Sequence, residues 1–168
     1  ILSKSLKTIQ MITQNEKILR VEICARSTSK EWETAKSEWQ LSELYFTDAP
    51  NTCLCTHFPI FQICVLKNGV NGKAANVGNC CVKKFIGLPS DLIFQAVKRV
   101  KADSAKSLNK EAIHFAHEKK WLNDWELNFY LDTFKKRKLS EKQESCRVKI
   151  NDRILNKLRI TAQNANKE

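Results

Sequence analysis

Residues 53–57 read Cys53-Leu54-Cys55-Thr56-His57, and 22 residues separate His57 from the pair Cys80-Cys81. In extended chain, residues two apart point to the same side, so a strand that curls here presents two sulfurs and an imidazole to one point. A closed tetrahedral zinc site takes four such ligands, with sulfur at about 2.3 Å. Either Cys80 or Cys81 can complete the set with Cys53, Cys55 and His57. The residues between explain how the chain returns. Ile60-Phe61-Gln62-Ile63-Cys64-Val65-Leu66 is an apolar run of strand length, Asn68-Gly69 and Asn71-Gly72 carry turn chemistry that accepts positive φ, and 73–77 supplies a partner strand. Gly78-Asn79 permits a tight turn before the cysteines, and Val82-Lys83-Lys84-Phe85 begins a helical turn. The expected unit is a small β-hairpin nucleated by one structural zinc ion, which leaves no open coordination position for water.

Outward from this unit the pattern becomes helical. Upstream, Thr28-Ser29-Lys30-Glu31 reads as a helix start, with the Thr28 hydroxyl capping and Glu31 reaching back. Trp32, Ala35 and Trp39 then mark one face of a helix ending near Leu44, and 46–51 reads as a loop. Before that, Leu2, Leu6 and Ile9 recur at helical spacing while Leu19, Val21 and Ile23 alternate as in a strand. Downstream, Ile93, Ala96, Val97 and Val100 form an apolar stripe, and Asn109 caps a second helix carrying Ile113 and Ala116. Asn123-Asp124-Trp125-Glu126 and Ser140-Glu141-Lys142-Gln143 both follow capping-box logic, the second opening a long helix with Cys146, Ile150, Ile154 and Leu158 on one side. The polar tail 161–168 is expected to fray. The expected fold is α+β, mainly helical: an N-terminal segment (1–45), the zinc hairpin (46–88) and a basic helical bundle (89–160).

At 168 residues, 42% of them apolar and 28% charged, the chain can bury a core, and no run is long enough to cross a membrane. Its first residues hold no charged segment followed by a long apolar stretch, and the chain starts without Met, so these residues give secretion no support and do not exclude it. Seven cysteines cannot all pair within the chain, and their clustering with a histidine points to a reduced, cytoplasmic setting and a metal. The net charge of +11 is uneven, because residues 83–168 carry 20 basic and 11 acidic side chains. Lys135-Lys136-Arg137-Lys138 is the densest run, and Arg147, Lys149, Arg153, Lys157 and Arg159 extend it along the last helix. Such a field suits the phosphate backbone of nucleic acid. It also suits an acidic protein surface, which would make the chain a subunit, adaptor or inhibitor within a larger nucleic-acid machine. There is no Gly-rich phosphate loop, no G-x-S-x-G elbow and no H-E-x-x-H, so the expected function is not enzymatic. The enzymatic alternative is a three-ligand zinc hydrolase with Glu43 or Asp48 as base. His114 and His117 read as solvent-facing or packing residues, and Trp121 and Trp125 as core, with base stacking the alternative for both tryptophans.

Four segments together carry a resemblance. Glu38-Trp39, Cys53-Leu54-Cys55-Thr56-His57, Val77-Gly78-Asn79-Cys80-Cys81-Val82-Lys83-Lys84-Phe85, and Leu139-Ser140-Glu141-Lys142-Gln143 with Ile150-Asn151 resemble an uncharacterised family of small bacterial and phage zinc-binding proteins. The resemblance spans residues 32–158. It implies that Cys81, which precedes Val82-x-x-Phe85, is the fourth zinc ligand. Thr56 stands where the family more often has Gly, which implies a less permissive turn. The family brings no activity with it.

Overall fold

The structure is a computed structural model that describes residues 12–167. The helical spacing of Leu2, Leu6 and Ile9 therefore lies outside the described residues. In chain order the elements are α1 (Gln14–Arg26), α2 (Trp32–Ser37), β1 (Trp39–Asn51), β2 (Ile60–Asn68), β3 (Ala74–Gly78) and a single turn α3 (Asn79–Cys81) that widens into a π-type turn over Val82–Ile86. Four helices follow: α4 (Ser90–Ala102), α5 (Lys110–Glu118), α6 (Asp124–Thr133) and α7 (Glu141–Ala165). The fold is α+β and mainly helical, with an antiparallel sheet in the order β1-β2-β3 ahead of the C-terminal helices.

The expected hairpin is thus two strands of a three-stranded sheet. Its β2–β3 turn is organised by Asn68, fully buried, whose Oδ1 accepts from the Val70 and Asn71 N–H groups at 2.8 and 3.1 Å. Gly72 in the same turn takes φ +74°, a conformation that costs glycine little.

Three upstream expectations are corrected. Leu19, Val21 and Ile23 lie in α1, not in a strand: Leu19 and Ile23 are fully buried and four residues apart, while Val21 is 65% exposed. An i, i+4 pair with an apolar residue between them mimics alternation. The helix expected from Thr28 to Leu44 exists only as α2, and its cap is the carboxylate of Glu31, which accepts from Glu33 and Thr34. From Trp39 the chain is strand, because β2 offers it partners from Trp39↔Asn68 to Phe46↔Gln62; the expected loop 46–51 is carried within the strand as an irregularity that rejoins β2 at Asn51↔Ile60. The Trp39 indole N–H donates to Ser27 Oγ at 2.8 Å. Glu38 fixes the corner, its carboxylate accepting from Thr28 N, Ser29 N and Asn68 Nδ2 at 2.7–2.9 Å. These three bonds hold the Glu38 carboxyl below the ordinary carboxylate range, the Asn68 bond most of all.

The downstream caps form as the sequence indicates. Asn109 accepts from Ala112 N, and Asn123 with Glu126 and Ser140 with Gln143 form complete capping boxes. α7 continues through the expected frayed stretch as far as Ala165. One core cluster gathers Leu19 and Ile23 of α1, Leu44 and Leu66 of the sheet, Phe94 of α4, Ile113 of α5, Tyr130 of α6 and Ile154 of α7. The three expected segments therefore share one core, and β1 crosses the junction at 45/46.

Candidate metal centre

Three sulfurs meet where β1 leaves the sheet and β3 ends. The Sγ atoms of Cys53, Cys55 and Cys81 all lie within 4.8 Å of one another, and all three residues are buried. Cys81 stands 3.7 Å from Cys53 and 3.3 Å from Cys55. Sulfurs bound tetrahedrally at about 2.3 Å sit roughly 3.8 Å apart, so the spacing fits a shared ion. A disulfide needs about 2.05 Å, and all these cysteines are free thiols. The cluster can hold a metal ion.

The local chain explains the geometry. Cys53 N–H donates to His57 O at 2.9 Å and Thr56 N–H to Cys53 O at 2.8 Å, so residues 53–57 close a tight turn. Thr56 takes φ +70° to do so, a left-handed conformation that a β-branched residue adopts only under strain. Gly78 brings the second limb close. A Cβ there would meet Ile60 at 3.2 Å, and its N–H donates to Cys53 Sγ at 3.1 Å. Asn15 of α1 closes the third side, donating to Cys55 O at 3.0 Å and pointing the same amide at Cys55 Sγ, 3.8 Å away.

The thiol protons are linked. Cys53 is drawn down to about 5 by its hydrogen bond with Cys81, against burial and with help from the Gly78 N–H. Cys81 is pushed up by its bond to Cys53, by burial and by the negative charge beside it. One proton leaves readily and the next is held, because two thiolates would share a buried space. A bound divalent ion reverses that balance. Cys64, in the sheet core, is different: burial pushes it up to about 12, and it behaves as an apolar filler.

The sequence-predicted ligands divide. Of the adjacent pair, Cys81 joins the cluster and Cys80 is exposed. His57 lines the same cavity, of about 580 Å³, but its ring nitrogens stand outside the cluster of three sulfurs. The sidedness expected of residues 53, 55 and 57 holds only for extended chain, and the turn at Thr56 breaks it. Gly78 was legible only as a turn residue, and nothing in the sequence marks Asn15. Glu43 pairs with Lys119 at 3.5 Å and Asp48 lines a separate cavity between β1 and α7, so neither proposed base reaches the sulfurs.

The basic residues divide as well. Lys135, Lys136, Arg137 and Lys138 are exposed in the connection between α6 and α7, and Lys149 and Lys157 are exposed on α7. Arg153 is half exposed and pairs with Glu126 at 2.6 Å. Arg147, expected on the same surface, is instead 5% exposed. Its Nη2 donates to Thr133 O at 2.7 Å and its guanidinium lies 5.9 Å over the Tyr130 ring, so it ties α7 to α6. It falls on the helix face shared with Ile150, Ile154 and Leu158. His114 is exposed, and His117 meets Asp124 at 2.9 Å. Among the described residues no helix is long and apolar enough to cross a membrane. Comparison with protein-family models, curated proteins and solved structures returns no match to this chain.

Proposed function

We propose that the chain is a non-enzymatic module, stabilised by one zinc ion, that binds nucleic-acid phosphates through its C-terminal helical surface. Zinc suits the soft thiolate set of Cys53, Cys55 and Cys81, with the imidazole of His57 drawn in from the same cavity as fourth ligand. Four protein ligands make the ion structural: it clamps β1, β3 and α1 together and activates no water. The likeness to small bacterial and phage zinc proteins and a cytoplasmic setting belong to the same proposal.

Charge segregation along α7 carries the functional part. Lys142, Lys149, Arg153 and Lys157 recur at spacings of seven and four, which stacks them on one stripe of a helix, while Glu141, Glu144 and Asp152 fall elsewhere around it. All four cations are exposed to some degree, and Lys135–Lys138 continue the field beyond the helix start. Within α7 the stripe holds no acid, and although Glu126 of α6 pairs with Arg153, its three lysines remain a single-sign footprint suited to phosphate binding.

The test is fluorescence anisotropy with a labelled DNA duplex in about 50 and 200 mM salt. Affinity is expected to fall more than about tenfold between the two, and a Lys142→Ala/Lys149→Ala/Lys157→Ala variant to lose roughly three units of salt slope. Absent or salt-insensitive binding overturns the reading. Recovery of one stoichiometric acidic protein after nuclease treatment would put the adaptor reading in its place.

A further inference from the structure

We propose that Trp125 and Phe129 form a stacking platform beside the cationic stripe, which makes this surface selective for single-stranded nucleic acid. The inference rests on the phosphate-binding reading above and adds to it the class of strand.

The two tryptophans four residues apart have opposite fates. Trp121 is partly buried, its ring edge-on to Phe115 at 5.8 Å. Trp125 is 64% exposed, although tryptophan is among the residues that bury most of their surface when a core is at hand. Its ring lies parallel to that of Phe129, with centroids 5.6 Å apart and planes 11° from each other. Phe129 in turn sets its edge against the fully buried Tyr130 at 6.4 Å. The outer ring is thus oriented by a stack anchored in the core, with one face left to solvent.

This platform is tied to the basic stripe. Arg153 donates through Nη2 to Glu126 Oε1 at 2.6 Å and to Trp121 O at 3.1 Å, which fixes the stripe against the first turn of α6. The pairings Glu126 with Arg153, Tyr130 with Asn151 and Thr133 with Arg147 run α6 antiparallel to α7. Leu127, Leu131 and Phe134 give one flank of α6 to the core, as Ile150, Ile154 and Leu158 do for α7. Trp125 stands on the other flank of α6, exposed and followed seven residues on by the exposed Asp132, while Phe129 beside it packs against the core; Lys142 and Lys149 lie on the flank of α7 turned away from Ile154. Of the carboxylates that flank Trp125, Glu126 is paired with Arg153, whereas Asp124 is exposed and meets only the His117 ring. An exposed aromatic face next to a cationic track is how sequence-tolerant proteins hold single strands, since every base has a π-face and a duplex hides its own.

The experiment compares the wild type with Trp125→Ala and Trp125→Phe against oligothymidylate of about 20 nucleotides and a duplex of similar length, by anisotropy at low salt. Trp125→Ala is expected to weaken the single strand about tenfold or more, to leave the duplex within about twofold, and to be rescued in large part by Trp125→Phe. Thermal unfolding, which an exposed ring should not move, confirms that each variant is folded. Equal loss on both probes, or no loss on the single strand, overturns this inference while duplex binding by the lysine stripe stands. Failure of the wild type to bind either probe removes the phosphate-binding reading and this one with it.

Discussion

Around Cys53, Cys55 and Cys81 the chain presses three thiols into contact, whereas around Tyr130, Arg147 and Asn151 it buries polar groups that partner one another and the backbone. Asn151 donates to Ser104 O and Lys106 O at 2.7 and 2.8 Å and accepts from Tyr130 Oη, which clamps the α4–α5 connection onto α6 and α7. That helical network is nearly complete within the chain, with Arg147 Nε the one buried side-chain polar atom among the described residues that lacks a partner. The cysteine cluster can take a metal ion, which would favour the thiolate form of all three sulfurs. The difference teaches where stability is conditional. Metal supply should govern the sheet end, and burial with hydrogen bonding should govern the helical end.

The strongest way to break this contrast is to remove a sulfur. Elemental analysis of protein purified without added metal is expected to find one zinc per chain in the wild type and in Cys80→Ser, and almost none in Cys81→Ser. Structural zinc contributes on the order of 10 kcal/mol in isolated fingers, so amide protection over residues 51–81 should collapse on chelation while that of α5 to α7 persists. Equal zinc in both serine variants would dissolve the centre.

A smaller effect tests the other end. Asn151→Ala leaves two part-buried carbonyls without their donor and the buried Tyr130 hydroxyl without its acceptor, which should cost about 2–3 kcal/mol in urea unfolding. Zinc content should stay unchanged and the loss should be the same with chelator present. A chelator-dependent loss would show that the two ends are coupled, not separately held.

The smallest effect sharpens the picture at the turn. Thr56→Gly relieves a left-handed conformation worth about 1–2 kcal/mol and adds back some chain entropy. The net gain, below about 1 kcal/mol, should raise the melting temperature of the zinc-bound protein by up to roughly 4 °C. A fall would mean that Thr56 is comfortable where it stands.

Legibility followed the range of the forces. The caps at Asn109, Asn123 and Ser140 were readable because each is made by groups within three residues of one another. The strands β2 and β3 were readable from an apolar run and two Asn-Gly turns. β1 was not, since Trp32, Ala35 and Trp39 match a helix face locally and only pairing with β2 makes the last of them a strand residue. In the site, the cysteines were visible from spacing, whereas the displacement of His57 depends on a backbone turn that spacing does not encode.

By itself, then, the sequence determined a cysteine cluster folded back on a hairpin, four C-terminal helices of which three are capped by a side chain, and an excess of positive charge in the second half, all products of local chemistry and composition. Tertiary structure alone decided that Arg147 is buried while Lys149 is not, and that Trp125 is exposed while Trp121 packs; it also turns Cys81, which the resemblance had favoured over Cys80, toward the other sulfurs. Each of those outcomes turns on which side of a helix meets the core. That is set by contacts from elements dozens of residues away, which no local pattern contains.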